Sequence, residues 1–178
     1  MPFQTRNLLM SLGAASALGA CTTMADVPTE RVGQATLSYA NGMPAGTAQL
    51  MRSGEGLSMA VAVTGMSPGT HAFHLHTTGK CEGPDFTSAG GHLNPYDKKH
   101  GTLDPMGPHL GDMQNLEVNS SGAATATVDI PGERAGALQE IFDADGTAVV
   151  IHAGADDYRT DPSGAAGSRI ACGIMRPA

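Results

Sequence analysis

The sequence predicts an all-β domain, built as a sandwich or a barrel. Short runs that are apolar, or that alternate between apolar and polar residues, recur along the chain, and such runs are typical of strands. Turn-forming pairs, among them Asn41-Gly42, Pro68-Gly69 and Asp145-Gly146, separate the runs. Glycine in such a pair ends a strand and reverses the chain. Several short strands at this spacing favour a sandwich or a barrel over a helical fold.

Eight runs are predicted to be strands, and they cover residues 35–39, 47–51, 57–63, 72–76, 116–118, 124–130, 148–151 and 170–174. Aromatic residues make up only 4% of the chain and Trp is absent, so Val, Ile, Leu, Met and Ala must build the core. Residues 134–142 fit a helix, because Ala135, Leu138 and Ile141 fall at helical spacing, and they fit a connecting loop almost as well.

Two long stretches, residues 77–114 and 153–168, carry no strand or helix pattern. Loops of this length in a compact domain are usually functional or disordered. A metal and a disulfide would order the first stretch, which contains His92, His100, His109, Asp112 and Cys81. The second stretch holds Asp156, Asp157 and Arg159 and ends just before Arg169.

The chain begins with a predicted secretory signal peptide, residues 1–20. Arg6 precedes an uncharged run over residues 8–20 that is too short and too rich in small residues to span a bilayer. The sequence Leu-Gly-Ala-Cys at 18–21 resembles the lipobox of bacterial lipoproteins, which implies lipidation of Cys21. The alternative is an ordinary cleaved signal with a chance cysteine. Thr22 and Thr23 stand where an Asp would favour retention in the inner membrane, so we expect a lipid anchor in the outer membrane, facing the bacterial periplasm.

Residues 21–33 are predicted to be the lipidated cysteine and a polar tether, and residues 34–178 to be one domain. About 145 residues are enough to bury a sizeable core, and no internal repeat divides them. Cys81 and Cys172 are then the remaining thiols. In an oxidising envelope they are predicted to form a disulfide, the alternative being two buried free thiols.

The seven histidines carry the strongest functional signal. His74 and His76 are two positions apart in a predicted strand, so both imidazoles leave the same face. His92, His100 and His109 lie in the long loop with Asp112, and His152 follows the apolar run 148–151. Separate strands and a loop would therefore assemble a metal site. For a lone histidine such as His71, a structural role is the usual one.

Six sequence blocks resemble those of bacterial copper/zinc superoxide dismutases, of the periplasmic, lipoprotein-type branch. They are His-Ala-Phe-His-Leu-His with Cys81 at 71–81, Gly-Gly-His-Leu-Asn-Pro at 90–95, Lys-His-Gly at 99–101, His-Leu-Gly-Asp at 109–112, Ile-His-Ala-Gly-Ala-Asp-Asp at 151–157 and Gly-Ser-Arg-Ile-Ala-Cys-Gly at 167–173. They occur in the family's order and cover nearly everything after the tether. The resemblance implies an eight-stranded Greek-key β-barrel with two long functional loops, a metal-binding loop and an electrostatic loop.

The resemblance also implies one copper and one zinc per subunit. The implied copper ligands of this chain are His74, His76, His92 and His152. The implied zinc ligands are His92, His100, His109 and Asp112, so that His92 would bridge the two metals. Four imidazoles suit Cu(II), and three imidazoles with one carboxylate suit tetrahedral zinc. Asp156 would link a copper-ligand and a zinc-ligand histidine, and His71 would make a structural hydrogen bond between loops.

The implied activity is the conversion of two superoxide anions into O₂ and hydrogen peroxide, with His92 and Arg169 as catalytic residues. His92 would leave copper on reduction, take up a proton and return it to the peroxide. Arg169 would attract and orient the anion. This role matters because removal of the leader would leave nine basic and 17 acidic residues, a net charge of −8, so the molecule as a whole repels superoxide.

Two other function classes remain open at this point: a copper- or zinc-buffering module on the same fold, and a structural or adhesive envelope domain. A buffering module is expected to lack Arg169 or one of the copper ligands, but Arg169 and all four predicted copper ligands are present. No basic patch indicates nucleic-acid binding. The chain departs from the family pattern at Ala165 and Met175, and residues 162–168 are poor in charge. Because bacterial members often dimerise through an interface containing Trp, a chain without Trp is compatible with either a monomer or a homodimer.

Overall fold

The computed structural model describes residues 29–131 and 134–178, together with Met1. The predicted signal peptide and the predicted lipidation site at Cys21 lie outside these residues. The described residues form the strands β1 (Thr29–Tyr39), β2 (Pro44–Ser53), β3 (Gly56–Val63), β4 (Gly69–His71), β5 (Phe73–His76), β6 (Leu116–Val118), β7 (Ala124–Asp129), β8 (Ala148–His152), β9 (Arg169–Ile174) and β10 (Arg176–Pro177), with one helix α1 (Arg134–Ile141) and a 3-10 turn (Thr87–Ala89).

One antiparallel sheet dominates the fold, in the order β5-β8-β9-β1-β2-β3-β7, with β10 also paired to β1. The sheet curls into a half-barrel, and β4 pairs separately with β6. β1 lies between β2 and β9, two strands far apart in sequence, so the first strand joins the two halves of the sheet. The fold is therefore the predicted all-β one.

The inner face of the sheet carries the main core. Leu37, Leu50, Met59, Phe73 and Ile151 are all fully or almost fully buried there. Because successive side chains of a strand point to opposite faces, the apolar alternation of the sequence selects this inner face. Burial of this surface is the principal force that holds the sheet closed.

A second, smaller cluster lies on the opposite face. Ala148 and Val150 of β8 pack there against Phe86 and Cys172, while their neighbours Val149 and Ile151 face the main core. The strand is thus buried on both faces because the loop over residues 77–114 covers its outer side. The disulfide between Cys81 and Cys172 fastens this loop to β9, with 5.6 Å between the Cα atoms, and the predicted pairing is confirmed.

The eight predicted strands are all present, and the helix prediction for residues 134–142 is confirmed by α1. Ala137 and Ile141 of α1 are buried against the core. Two short strands, β4 and β10, were not predicted, and residue 72 separates β4 from β5.

The first strand, β1, begins at Thr29, within the predicted tether of residues 21–33. Residues 29–33 belong to β1, where Thr29 pairs with Ser53 and Glu30 with Arg52. The side chains of Glu30 and Arg52 also form an ion pair. Polar residues can extend a strand in this way because the backbone, not the side chains, makes the ladder hydrogen bonds. No helix in the described part of the chain is long and apolar enough to cross a membrane.

Candidate metal centre

Three of the predicted copper ligands leave the outer face of the sheet. His74 pairs with Val150 and His76 with Ala148, both of which point outward. His152 lies two residues after Val150 on β8 and so points to the same side. All three imidazoles are buried, with at most 3% of each residue exposed. The strand register alone therefore brings these three side chains together.

The first long loop is fastened onto β5 through backbone hydrogen bonds. Leu93 N–H donates to the Leu75 carbonyl at 2.8 Å, and Leu75 N–H donates to the Gly111 carbonyl at 3.0 Å. A Cβ atom at Gly111 would lie 2.3 Å from the Leu75 carbonyl oxygen, so glycine is required for this close approach. These contacts place His92 and Asp112, the neighbours of Leu93 and Gly111, beside the strand histidines.

Four buried ring nitrogens in this region have no hydrogen-bond partner among the described residues. They are Nδ1 of His74 and Nε2 of His76, His92 and His152, and these four residues form a group whose ligand atoms lie within 4.8 Å of one another. A planar site with bonds of about 2 Å places opposite ligands about 4 Å apart. The group therefore has the size and the donor set of a copper site.

The other nitrogen of these rings fixes where the lone pair lies. His76 donates its Nδ1–H to the Gly90 carbonyl at 3.0 Å, and His152 donates its Nδ1–H to the Gly167 carbonyl at 3.2 Å. His74 donates from Nε2 to Asp156 at 2.8 Å. A neutral imidazole carries one proton, so the nitrogen without a partner offers its lone pair in each of these rings.

A second group converges on one carboxylate oxygen. Oδ1 of Asp112 lies 2.9 Å from Nδ1 of His92, 3.1 Å from Nδ1 of His100 and 3.2 Å from Nδ1 of His109. The ligands of a tetrahedral zinc site with bonds of about 2.0 Å are about 3.3 Å apart. Nδ1 of His100 is close to the carboxylate but is not aligned for a hydrogen bond, as expected for ligands that face a common point.

Asp112 itself is held by the backbone. Its Oδ2 accepts hydrogen bonds from the Gly101 N–H at 2.8 Å and from the His109 N–H at 2.9 Å. Oδ1 is thereby directed at the three imidazoles. His92 is the shared member of the two groups, since Nδ1 faces the Asp112 group and Nε2 faces the other.

Asp156 connects the two groups a second time. Its Oδ2 accepts from His74 Nε2 at 2.8 Å and its Oδ1 accepts from His100 Nε2 at 2.9 Å. The carboxylate is fully buried between these rings. Such a partner sets the ring orientation and the tautomer of both histidines.

Burial keeps His76, His92 and His152 uncharged. It lowers the pKa of His76 to about 2, that of His152 to about 3 and that of His92 to about 4. The positive charge of Arg169 contributes to the lowered pKa of His76 and of His152. These three rings are therefore neutral at physiological pH, which is the form that binds metal.

His100 behaves in the opposite way. Burial lowers its pKa, but the hydrogen bond to Asp156 and the carboxylate of Asp112 beside Nδ1 outweigh this effect and raise the pKa to about 9. Burial would raise the pKa of both carboxyls, yet the contact with His100 and the hydrogen bonds that each carboxylate accepts hold each pKa well below the usual range. A metal ion at this group would displace a proton from His100.

Arg169 lines a cavity beside the four-histidine group. A cavity of about 290 Å³ is bounded by Arg169, Ser163 and the imidazoles of His76, His92 and His152. The guanidinium donates to the Phe86 carbonyl at 2.7 Å and to the Gly90 carbonyl at 2.6 Å. An arginine anchored in this way presents a fixed positive charge to an anion that enters the cavity.

His71 stands apart from both groups. Its Nδ1 lies 2.8 Å from the carbonyl oxygen of His152, and its Nε2 lies 2.9 Å from that of Ser67. Both nitrogens are thus occupied by backbone, and His71 belongs to neither metal-sized cluster. Its contacts tie the end of β8 to the turn before β4.

Several contributors to the site were missed by sequence reasoning. The Gly90 carbonyl holds both His76 and Arg169, and Asn115 and Tyr158 contact Asp156. The position of Asn115, three residues after Asp112, could have been noticed. A backbone carbonyl offers no sequence signal at all.

Comparison with known proteins gives a consistent result. The family described as copper/zinc superoxide dismutase (SODC) matches residues 44–175. The chain is 44% identical over 134 residues to Cu-Zn superoxide dismutase 1 of Aquifex aeolicus, covering 74% of this chain and 79% of that protein. It is 36% identical over 174 residues to a Cu-Zn superoxide dismutase of Caulobacter vibrioides, covering 94% and 100%. A solved structure of a SOD-like protein from Bacillus subtilis superposes with a TM-score of 0.73 at 38% identity, covering 79% of this chain and 96% of that one.

Proposed function

The chain belongs to the copper/zinc superoxide dismutase family, and from this premise we propose that it converts two superoxide anions into O₂ and hydrogen peroxide. Copper would be held by His74, His76, His92 and His152, and zinc by His92, His100, His109 and Asp112. The observation that carries the proposal is the set of four buried, unpartnered ring nitrogens that face one another beside Asp112 and its three imidazoles.

Copper bound at the four-histidine group would supply the one-electron oxidation and reduction that the reaction needs. The chain supplies a buried donor set in which His76, His92 and His152 are neutral, because burial lowers the pKa of each. His92 Nε2 lies in that set, and the His92 ring lines the cavity. With Nδ1 committed to the zinc group, Nε2 is the only atom of His92 that can hold a proton for the peroxide product.

Zinc would have a structural and electrostatic role in this scheme. It would fix the positions of Asp112 and the loop histidines. Asp156 accepts hydrogen bonds from both His100 and His74, so a fixed His100 would also fix the orientation of His74. Arg169 would draw the anion into the cavity against the net negative charge of the protein. A metal-buffering module would need neither the anchored guanidinium nor the cavity that Arg169 borders.

We place the protein in the bacterial cell envelope, anchored to the outer membrane through a lipid on Cys21, where it would remove superoxide. The support is the sequence of residues 1–23 alone. Fractionation of cells that express the full chain or a Cys21→Ser variant tests this placement. A membrane-bound full chain and a soluble variant are expected, whereas the same distribution for both would exclude the anchor.

The activity is tested on recombinant mature protein. We expect one copper and one zinc per chain by elemental analysis, together with superoxide removal that cyanide inhibits. Stoichiometric metal without activity would favour the buffering module. Absence of both metals would exclude the enzyme and the buffering module together.

A further inference from the structure

Tyr158 has an unusual backbone for a bulky residue, with a φ of +59°. A left-handed conformation is strained for a residue with a large side chain. It persists only where the surroundings hold it, and such residues cluster at functional sites. Three groups of Tyr158 form hydrogen bonds that stabilise this conformation.

The first group is the backbone N–H, which donates to Oδ1 of Asp156 at 2.6 Å. The second is the backbone carbonyl, which accepts from the Leu103 N–H of the first long loop at 3.2 Å. The third is the phenol oxygen, which accepts from the Asn115 N–H at 2.9 Å. Tyr158 thus joins Asp156, the loop over residues 77–114 and the segment before β6.

The side-chain amide of Asn115 forms two hydrogen bonds with the backbone of Asp156. Its Oδ1 accepts from the Asp156 N–H at 2.9 Å, and its Nδ2–H donates to the Asp156 carbonyl at 3.0 Å. The side-chain amide therefore closes a two-bond ring with the backbone of Asp156. Because the Tyr158 hydroxyl fixes the backbone of Asn115, it also fixes where this amide stands.

The first loop packs directly on the same tyrosine. A Cβ atom at Gly101 would lie 1.9 Å from the Tyr158 carbonyl oxygen. Gly101 follows His100 in sequence and donates its N–H to Asp112. A displacement of Tyr158 would therefore alter the positions of the zinc-group residues by two routes, through Gly101 and through Asp156.

We propose that Tyr158 is a positioning residue that acts through Asn115 to hold the Asp156 carboxylate between His74 and His100, and so sets how tightly the zinc group binds its metal. The inference rests on the proposed function, because it assumes that this group binds zinc. Tyr158 touches neither metal group directly and so is not a catalytic residue.

The test compares Tyr158→Phe with Tyr96→Phe in the full mature protein. Tyr96 is a tyrosine of the first loop with 51% of its surface accessible, so its variant removes the same hydroxyl from an exposed side chain. Zinc affinity is measured by competition with a chromogenic chelator. The geometry of the zinc group is measured from the visible absorption of Co(II) bound in place of zinc.

We expect Tyr158→Phe to weaken zinc binding about three- to tenfold, the usual range for one lost hydrogen bond, and to shift the Co(II) spectrum. Asn115→Ala should weaken it about tenfold or more. The double variant should be little weaker than Asn115→Ala, because the hydroxyl then has no amide left to position. Tyr96→Phe should behave as the unmodified protein does.

Zinc affinity within twofold of the unmodified value and an unchanged Co(II) spectrum for Tyr158→Phe would overturn the inference while leaving the proposed function intact. Failure of the unmodified protein to bind zinc would instead overturn the proposed function. If Tyr158→Phe does not fold, Asn115→Ala tests the inference instead. This variant removes both hydrogen bonds from the Asn115 side chain to Asp156 and leaves the hydrogen bonds of Tyr158 in place. An unchanged zinc affinity for that variant also overturns the inference.

Discussion

The guanidinium of Arg169 donates a hydrogen bond of 2.6 Å to the carbonyl oxygen of Gly90. The same carbonyl accepts a bond of 3.0 Å from Nδ1 of His76. One backbone oxygen therefore orients both the cation that lines the cavity and a member of the four-histidine group. The charge that would attract the substrate and the ring that would bind copper are thus fixed relative to each other.

Replacement of Arg169 by Ala is expected to keep both metals and to slow superoxide removal by about tenfold or more. The activity should also lose most of its sensitivity to salt, because a local positive field is what salt screens. Steady-state rates at several ionic strengths measure both effects. Arg159→Ala is the matched control, since Arg159 is an exposed arginine of the loop that leads to Arg169. Equal rates for the two variants would argue against a special role for Arg169.

Replacement of His92 by Ala is expected to damage both metal groups, because each of its nitrogens faces a different group. Affinity for copper and for zinc should each fall at least tenfold. Mutation of a group that only hydrogen-bonds to a metal ligand already lowers the affinity by about tenfold or more, and His92 would itself be a ligand. His109→Ala is the control, because His109 belongs to the zinc group alone. It should lower zinc content and leave copper largely in place. Full copper content in His92→Ala protein would contradict the bridging role.

Much of this centre could be predicted from sequence because its side chains carry rare chemistry. Two histidines separated by one residue in a strand, or a histidine three positions before an aspartate in a glycine-rich loop, are arrangements that favour metal binding. The long strands were predictable for a similar reason, since alternation selects one buried face. Strand β4 was missed because its sequence, Gly-Thr-His, contains no apolar residue, and β10 because it has only two residues.

The remaining parts depend on backbone atoms, and the backbone has no sequence signature. Residues 29–33 have the composition of a polar tether, yet their backbone pairs with β2. The Gly90 carbonyl and the left-handed Tyr158 are likewise visible only once the loops are folded. Which polar side chain supports Asp156 depends on contacts between segments about 40 residues apart, and local patterns cannot supply these.

Gly164 and Gly42 permit a paired test of the space around Asp156. Both have positive φ, +68° and +80°, so alanine at either position has a similar backbone cost of about 1 to 2 kcal/mol. A Cβ atom at Gly164 would lie 2.0 Å from Oδ1 of Asp156, whereas one at Gly42 would have nothing within 4 Å. Gly164→Ala should therefore weaken zinc binding about 10- to 100-fold by displacing the carboxylate, and Gly42→Ala should not. Chelator competition on both variants makes the comparison, and equal zinc affinities would show that Asp156 moves without consequence.

The disulfide is expected to stabilise the fold and to hold Arg169 in place. It links positions 91 residues apart, and in the chain-entropy treatment a closed loop of that size raises the free energy of unfolding by about 4 to 5 kcal/mol. The double variant Cys81→Ser, Cys172→Ser should lose about this amount in denaturant unfolding of the metal-stripped protein. Its activity at full metal loading should also fall, because the loop over residues 77–114, which the disulfide fastens to β9, carries both carbonyl acceptors of Arg169.

Apolar packing could order that loop instead, since Phe86 and Ala89 are buried against Ala148 and Val150. Phe86→Ala in the oxidised protein separates the two causes, because it removes packing and leaves the covalent link. If the disulfide dominates, this variant keeps its activity at full metal loading while its free energy of unfolding falls by about 3 to 5 kcal/mol. If packing dominates, the serine variant retains the activity and Phe86→Ala loses it. The disulfide would then only stabilise the fold, and the position of Arg169 would depend on the apolar cluster.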